Sequence, residues 1–131
     1  MSDGASKKLR ILVVDDQAIV RECIFVLLAL DGHEVKTASS GDKAMALFEE
    51  DKFDLIFTDY VMPEMKGDEL AAAIKARAPR QRIVMITAEA KELRASGNMP
   101  PGVDFLIGKP FSLKNLRDAI TTVLSEKTLV E

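Results

Sequence analysis

Nearly unbroken apolar runs alternate along this chain with stretches of helical periodicity, and the pair of patterns occurs five times. Lys8 to Val14 carries Leu9, Ile11, Leu12, Val13 and Val14 and predicts a buried strand. From Gln17 to Leu30 the residues Ile19, Cys23, Val26, Leu27 and Leu30 recur at helical spacing, until Asp31-Gly32 ends the helix. That stripe is expected to face the core, with Cys23 packed in it as a small apolar residue. Glu34 to Ala38 alternates polar and apolar, as a half-exposed edge strand does. Gly41 to Glu50 predicts a helix with Ala44, Met45, Leu47 and Phe48 inside. Phe53 to Thr58 predicts another buried strand. Asp68 to Arg77 is an alanine-rich helix stopped by Pro79, and Arg82 to Ile86 is a strand. Residues 89–97 support only a weak helix, because Leu93 is nearly their one large apolar residue, and "GNMPPG" breaks it. It is expected to be short, mobile or irregular. Val103 to Gly108 is the last strand. Ser112 then caps a helix to Glu126 that is apolar at Leu113, Leu116, Ile120, Val123 and Leu124.

Five strand–helix pairs imply an α/β fold, a parallel sheet with helices on both faces. The runs at 9–14, 55–57 and 83–86 are almost wholly apolar and belong inside the sheet, whereas 34–38 alternates and belongs at an edge. That arrangement fits a flavodoxin-like doubly wound (βα)5 fold, a five-stranded parallel sheet of order 2-1-3-4-5. A length of 131 residues suits one domain, read as 8–127, with tails at 1–7 and 128–131. No repeat or low-complexity tract interrupts it.

Composition narrows the chemistry. No apolar run approaches the roughly 20 residues of a membrane span, and no signal-peptide core follows the N-terminus. The chain reads as cytoplasmic, without a membrane partner. A net charge of −3 argues against direct nucleic-acid binding. One cysteine and one histidine allow neither an internal disulfide nor a Cys/His zinc site. His33 reads as a surface residue leading into a strand.

The acids are more telling. In a doubly wound sheet, ligands bind beyond the carboxyl ends of the strands. Asp15-Asp16 follow the first strand, Asp59 the third, Thr87 the fourth and Lys109 the fifth. Taken singly, Asp15-Asp16 would cap a helix, Thr87 would be a structural hydroxyl and Lys109 a solvated charge. Together they place three carboxylates at one point, where each raises the others' pKa. A hard divalent cation, Mg2+ or else Mn2+, relieves the conflict through oxygen ligands. Lys109 and Thr87 would add an ammonium and a hydroxyl, completing a receptor for a phosphoryl group. A carboxylate there can also act as the nucleophile.

Asp15-Asp16, "DYVMP" at 59–63, "ITA" at 86–88 and "KPF" at 109–111 resemble the receiver domain of two-component response regulators. The chemotaxis receiver is itself a standard example of the 2-1-3-4-5 order. The resemblance implies that Asp59 is the phosphoacceptor. It also implies that Asp16, Asp59 and the Val61 carbonyl ligate Mg2+, with Asp15 acting mainly through a metal-bound water. Thr87 and Lys109 would each meet a phosphoryl oxygen, and small Ala88 would leave the group a way in. A cis Lys109-Pro110 bond is implied too. The donor would be a histidine kinase or histidine phosphotransfer protein. The output would pass through the face of the fourth helix, fifth strand and fifth helix to a downstream protein, or to a second copy on phosphorylation. One departure concerns the switch. Receivers carry an aromatic three residues before the lysine, and here that residue is Leu106. Phe105 lies one place earlier, on the opposite face of its strand.

Other functions fit less well. An aspartyl-phosphate phosphatase would need a second acid two residues after the nucleophile, and that residue is Val61. Only slow autophosphorylation from small phosphodonors and autodephosphorylation are expected, rather than enzymatic turnover. A flavodoxin needs a phosphate loop after the first strand, where "DDQAIV" presents two anions. A receiver that binds partners without phosphorylation is the remaining alternative.

Overall fold

The computed structural model describes residues 8–97 and 99–130, with the side chains of 126–130 left aside. Five strands and five helices alternate: β1 Arg10–Val14, α1 Ala18–Leu30, β2 Glu34–Ala38, α2 Gly41–Glu50, β3 Leu55–Asp59, α3 Gly67–Arg77, β4 Arg82–Thr87, α4 Ala90–Ser96, β5 Phe105–Gly108 and α5 Leu113–Val130. All strand pairs are parallel, in the order β2-β1-β3-β4-β5. The apolar runs do take the inner positions and the alternating segment an edge.

Alternate side chains divide the core into two layers. Ile11, Val13, Leu55, Phe57, Val84 and Ile86 face α1 and α5, meeting Ile24, Leu28, Leu116 and Val123. Leu12, Val14, Ile56 and Ile83 face the other way, onto Ala44 of α2 and Leu70, Ala71 and Ile74 of α3. Phe105 packs with the first layer, while Leu106 points to a separate cluster with Met85 and Ala90. The two residues thus face opposite sides, as the strand period requires.

Helix α1 departs from the expected orientation. Its buried residues are Ile24 and Leu28, with Val20 and Leu27 partly covered. The stripe expected in the core is largely outside: Ile19 is 84%, Val26 52% and Leu30 74% exposed. Cys23 is exposed with them. Both stripes have helical spacing and are offset by one residue, about 100° around the axis. The sheet covers the stripe with Ile24 and Leu28, and periodicity could not choose between them.

The ends differ in smaller ways. Helix α5 continues to Val130, so residues 128–130 are helical rather than a tail. No Gly or Pro interrupts the chain after residue 113 to stop it. The Ser112 cap forms as expected: its Oγ accepts the Asn115 N–H, and Asn115 Oδ1 accepts the Ser112 N–H. Helix α4 is short, seven residues with only Ala90 buried, and ends at Gly97 in the left-handed region. The tail expected over residues 1–7, and Glu131 of the other, lie outside the described residues.

Candidate functional site

Strand register brings the scattered polar residues together. Val14 lies opposite Thr58, Asp59 opposite Ile86, and Thr87 opposite Gly108. Asp15, Asp59, Thr87 and Lys109 therefore emerge at one end of the sheet. Asp59 is the last residue of β3 rather than the first beyond it. Asp15, Asp59 and Thr87 are buried, while Asp16 is exposed.

One carboxylate oxygen from each of Asp15, Asp16 and Asp59 lies within 4.8 Å of the other two. The Lys109 ammonium reaches between two of these acids, 3.3 Å from Asp59 Oδ1 and 3.5 Å from Asp15 Oδ2. Three carboxylates thus face one ammonium. Burial raises the Asp59 pKa above the usual carboxylate range, and the Asp15 charge raises it further. Lys109 and the Tyr60 N–H oppose this only in part. The excess negative charge and the all-oxygen donor set fit a hard divalent cation. Thr87 Oγ1 accepts the Glu89 N–H at 3.1 Å, which leaves its own hydrogen to donate.

The loops hold these groups in place. Asp15 Oδ1 accepts the Gln17 N–H at 2.9 Å, so this acid also organises the turn into α1. Arg21 donates to the Asp15 carbonyl at 2.8 Å. The loop after β3 closes with a hydrogen bond from Gly67 N–H to the Tyr60 carbonyl, 2.9 Å. A Cβ at Gly67 would stand 2.0 Å from the Asp59 carbonyl oxygen, so only glycine admits this approach. Pro63 accepts the Met65 N–H at 2.7 Å, turning the loop so that Val61 stays 55% exposed beside Asp59. The Lys109-Pro110 bond is cis, as expected.

Two contributors escaped the sequence reading. The Tyr60 N–H donates to Asp59 Oδ1 at 2.8 Å, and its ring packs against the Met85–Ala90–Leu106 cluster. Arg94 donates from α4 to the Leu106 carbonyl. An aromatic directly after Asp59 was the available signal for Tyr60. Nothing local marks Arg94.

Comparison with known proteins agrees with this geometry. Residues 11–121 match the family described as Response regulator receiver domain. The alginate biosynthesis transcriptional regulatory protein AlgB of Pseudomonas aeruginosa is 35% identical over 130 residues, covering 98% of this chain and 29% of that protein. The phosphate regulon transcriptional regulatory protein PhoB of the same species is 36% identical over 116 residues, 87% of this chain and 51% of PhoB. The chain thus spans only about half or less of these relatives. A receiver domain protein of Clostridium thermocellum superposes with a TM-score of 0.82 at 31% identity, covering 93% of this chain and 98% of that one. The response regulator TrrA of Thermotoga maritima, solved in complex with Mg2+ and beryllofluoride, gives 0.79 at 30% identity, covering 87% and 97%.

Proposed function

Because this chain belongs to the response regulator receiver domain family, we propose that it accepts a phosphoryl group on Asp59 within a two-component phosphorelay. The observation that carries this reading is the buried Asp59 carboxylate, set among Asp15 and Asp16 and bridged by Lys109. The donor is a phosphohistidine on a histidine kinase or phosphotransfer protein. An Asp59 oxygen forms the new P–O bond as the P–N bond breaks, and the imidazole nitrogen leaves with the electron pair. Lys109 moves its charge from the Asp59 carboxylate to the incoming phosphoryl oxygens, and Thr87 donates its hydroxyl to another. Asp16, Asp59 and the Val61 carbonyl would hold Mg2+, with Asp15 acting through water, and the ion would supply charge to offset the acids and the phosphoryl oxygens.

The donor approaches over the outer stripe of α1. Ile19, Cys23, Val26 and Leu30 form a row of exposed apolar side chains along α1, and Val61, two residues after Asp59, is exposed as well. Contiguous exposed apolar surface of this kind marks a protein contact. No helix among the described residues is long and apolar enough to cross a membrane. The phosphorylated state would signal through α4, β5 and α5 to a protein target or a second copy. The domain's own chemistry would be limited to slow uptake from small donors and slow loss of the group.

The test is intact mass after incubation with acetyl phosphate and Mg2+, with Asp59→Asn in parallel. One phosphoryl adduct is expected, dependent on Mg2+ and absent from the variant. No adduct, together with no binding of beryllofluoride, would sink the acceptor reading. It would turn attention to phosphorylation-independent binding.

A further inference from the structure

Tyr60 joins Asp59 to the apolar cluster that also receives the short helix α4. Its N–H donates to Asp59 Oδ1 at 2.8 Å, and its carbonyl accepts the Gly67 N–H at 2.9 Å. Its backbone is thereby pinned on both sides. Its ring is partly buried against the cluster of Met85, Ala90 and Leu106, together with Leu93 and Val103. Ala90 and Leu93 belong to α4, so the ring packs on the same cluster by which α4 attaches. Among the described residues of this cluster, Tyr60 is the one aromatic.

Little buried surface holds α4. The helix has seven residues and buries only Ala90. Leu93 packs partly buried on the same cluster, and hydrogen bonds from the Glu89 N–H to Thr87 Oγ1 and from Arg94 to the Leu106 carbonyl also tie this segment down. An element with so little buried surface shifts at small cost. The Asp59 carboxylate, meanwhile, is a charged acceptor for the Tyr60 N–H. Phosphorylation converts it to an acyl phosphate, whose carbonyl oxygen is a neutral acceptor while the charge passes to the phosphoryl oxygens, and charge-assisted hydrogen bonds are about twice as strong as neutral ones. The Tyr60 backbone must then readjust, and its ring moves with it.

Resting on the acceptor role of Asp59 stated above, we infer that Tyr60 is the positioning residue that couples phosphorylation of Asp59 to the placement of α4. The coupling runs from Asp59 Oδ1 through the Tyr60 backbone to its ring, and from the ring to Ala90 and Leu93. It does not require an aromatic side chain at position 106, where Leu106 is buried.

The probe is beryllofluoride with Mg2+, used at saturation so that differences in uptake rate drop out. Hydrogen exchange across residues 90–96 is read in the wild type, Tyr60→Phe, Tyr60→Leu and Val103→Ala. Binding is checked in each protein by fluorine resonance. The expected result is a change of about threefold or more in α4 exchange in the wild type. Tyr60→Phe, which keeps the ring, should keep the response. Tyr60→Leu should lose it while still binding beryllofluoride. Val103→Ala trims the same cluster without a link to Asp59 and should also keep the response. Retention of the response in Tyr60→Leu would overturn the coupling, as would an equal loss in Val103→Ala. The chain has one tyrosine and no tryptophan, so tyrosine emission reports this ring alone. Emission unchanged at saturation would also overturn the inference. A wild type that binds beryllofluoride without any response in α4 refutes the coupling and leaves the acceptor role intact. A wild type that neither binds it nor takes up phosphate removes both.

Discussion

Replacing Gly67 by alanine would test whether the loop after β3 is fitted to Asp59 or merely tolerates it. The added Cβ would stand 2.0 Å from the Asp59 carbonyl oxygen and 3.0 Å from both the Asp59 carbonyl carbon and the Tyr60 Cα. All three are backbone atoms, so no rotamer change relieves the overlap. Separation by roughly 1.5 Å is needed to reach ordinary contact. That movement pulls on the Gly67 N–H bond to the Tyr60 carbonyl, now 2.9 Å. Overpacking costs about 1–3 kcal/mol. A weakened hydrogen bond adds about 0.5–1.5 kcal/mol. Alanine's better helix propensity returns at most about 1 kcal/mol at the start of α3. The expected net loss is about 1–3 kcal/mol. Gly41→Ala is the internal control. Its Cβ would meet only the Met65 side chain, 2.5 Å from the sulfur and 2.9 Å from Cγ and Cβ; the sulfur and Cγ can rotate away, so only the Cβ contact needs a small backbone shift and the cost should be the lower of the two. Urea unfolding measures both, with the m-value showing whether the transition stays two-state. Uptake of a phosphoryl group from acetyl phosphate should fall in Gly67→Ala and stay near wild type in Gly41→Ala. Equal stability for Gly67→Ala and wild type, with normal uptake, would refute the close-approach argument.

The same structure predicts other outcomes. Leu28→Ala should cost about 2–5 kcal/mol in urea unfolding, and Leu30→Ala less than about 0.5 kcal/mol, because α1 turns the first inward and the second to solvent. Equal costs would mean that α1 is rotated. Cys23 should react with a maleimide in the folded protein at a rate near that of a free thiol; protection until unfolding would return it to the core. His33 Nδ1 accepts the Leu9 N–H at 3.1 Å, which needs the neutral ring, and burial lowers its pKa below 6.5 despite the nearby Asp31 charge. The unfolded chain then binds the proton more readily, so this stability is present above about pH 6.5 and lost as pH falls through that value toward the lower folded pKa. Urea midpoints at pH 7.5 and 5 should differ more in the wild type than in His33→Gln, and an equal difference would exclude His33 as the cause. Lys109→Met removes the one ammonium between Asp15 and Asp59, so Mg2+ affinity should rise by about fivefold. Unchanged affinity in a calorimetric titration would show that Lys109 does not offset these acids.

Much of this protein is legible in one dimension. Apolar runs such as Leu9 to Val14 and Leu55 to Phe57 marked inner strands, because a strand covered on both faces has no polar side to show. The alternation at Glu34 to Ala38 marked an edge for the converse reason. Once that order was set, the rule that ligands bind beyond the strand ends selected Asp15, Asp16, Asp59, Thr87 and Lys109. Resemblance to the receiver family added the roles expected of them and the cis Lys109-Pro110 bond, which the structure contains.

Only the tertiary structure settled the rest. Helix α1 carries two apolar stripes, and burial is decided by which one the sheet covers, not by spacing along the helix. Hence Cys23, Val26 and Leu30 lie outside while Ile24 and Leu28 lie inside. Helix α5 runs past its expected end because nothing in its sequence stops it. The contacts of Lys109 with Asp15 and Asp59 span separations of 94 and 50 residues, and the packing of Tyr60 on the Met85–Ala90–Leu106 cluster likewise joins distant segments. Local sequence sets backbone period and turn chemistry. Which side chains meet across the top of the sheet depends on register and on the direction each helix is pressed, and these are properties of the packed whole.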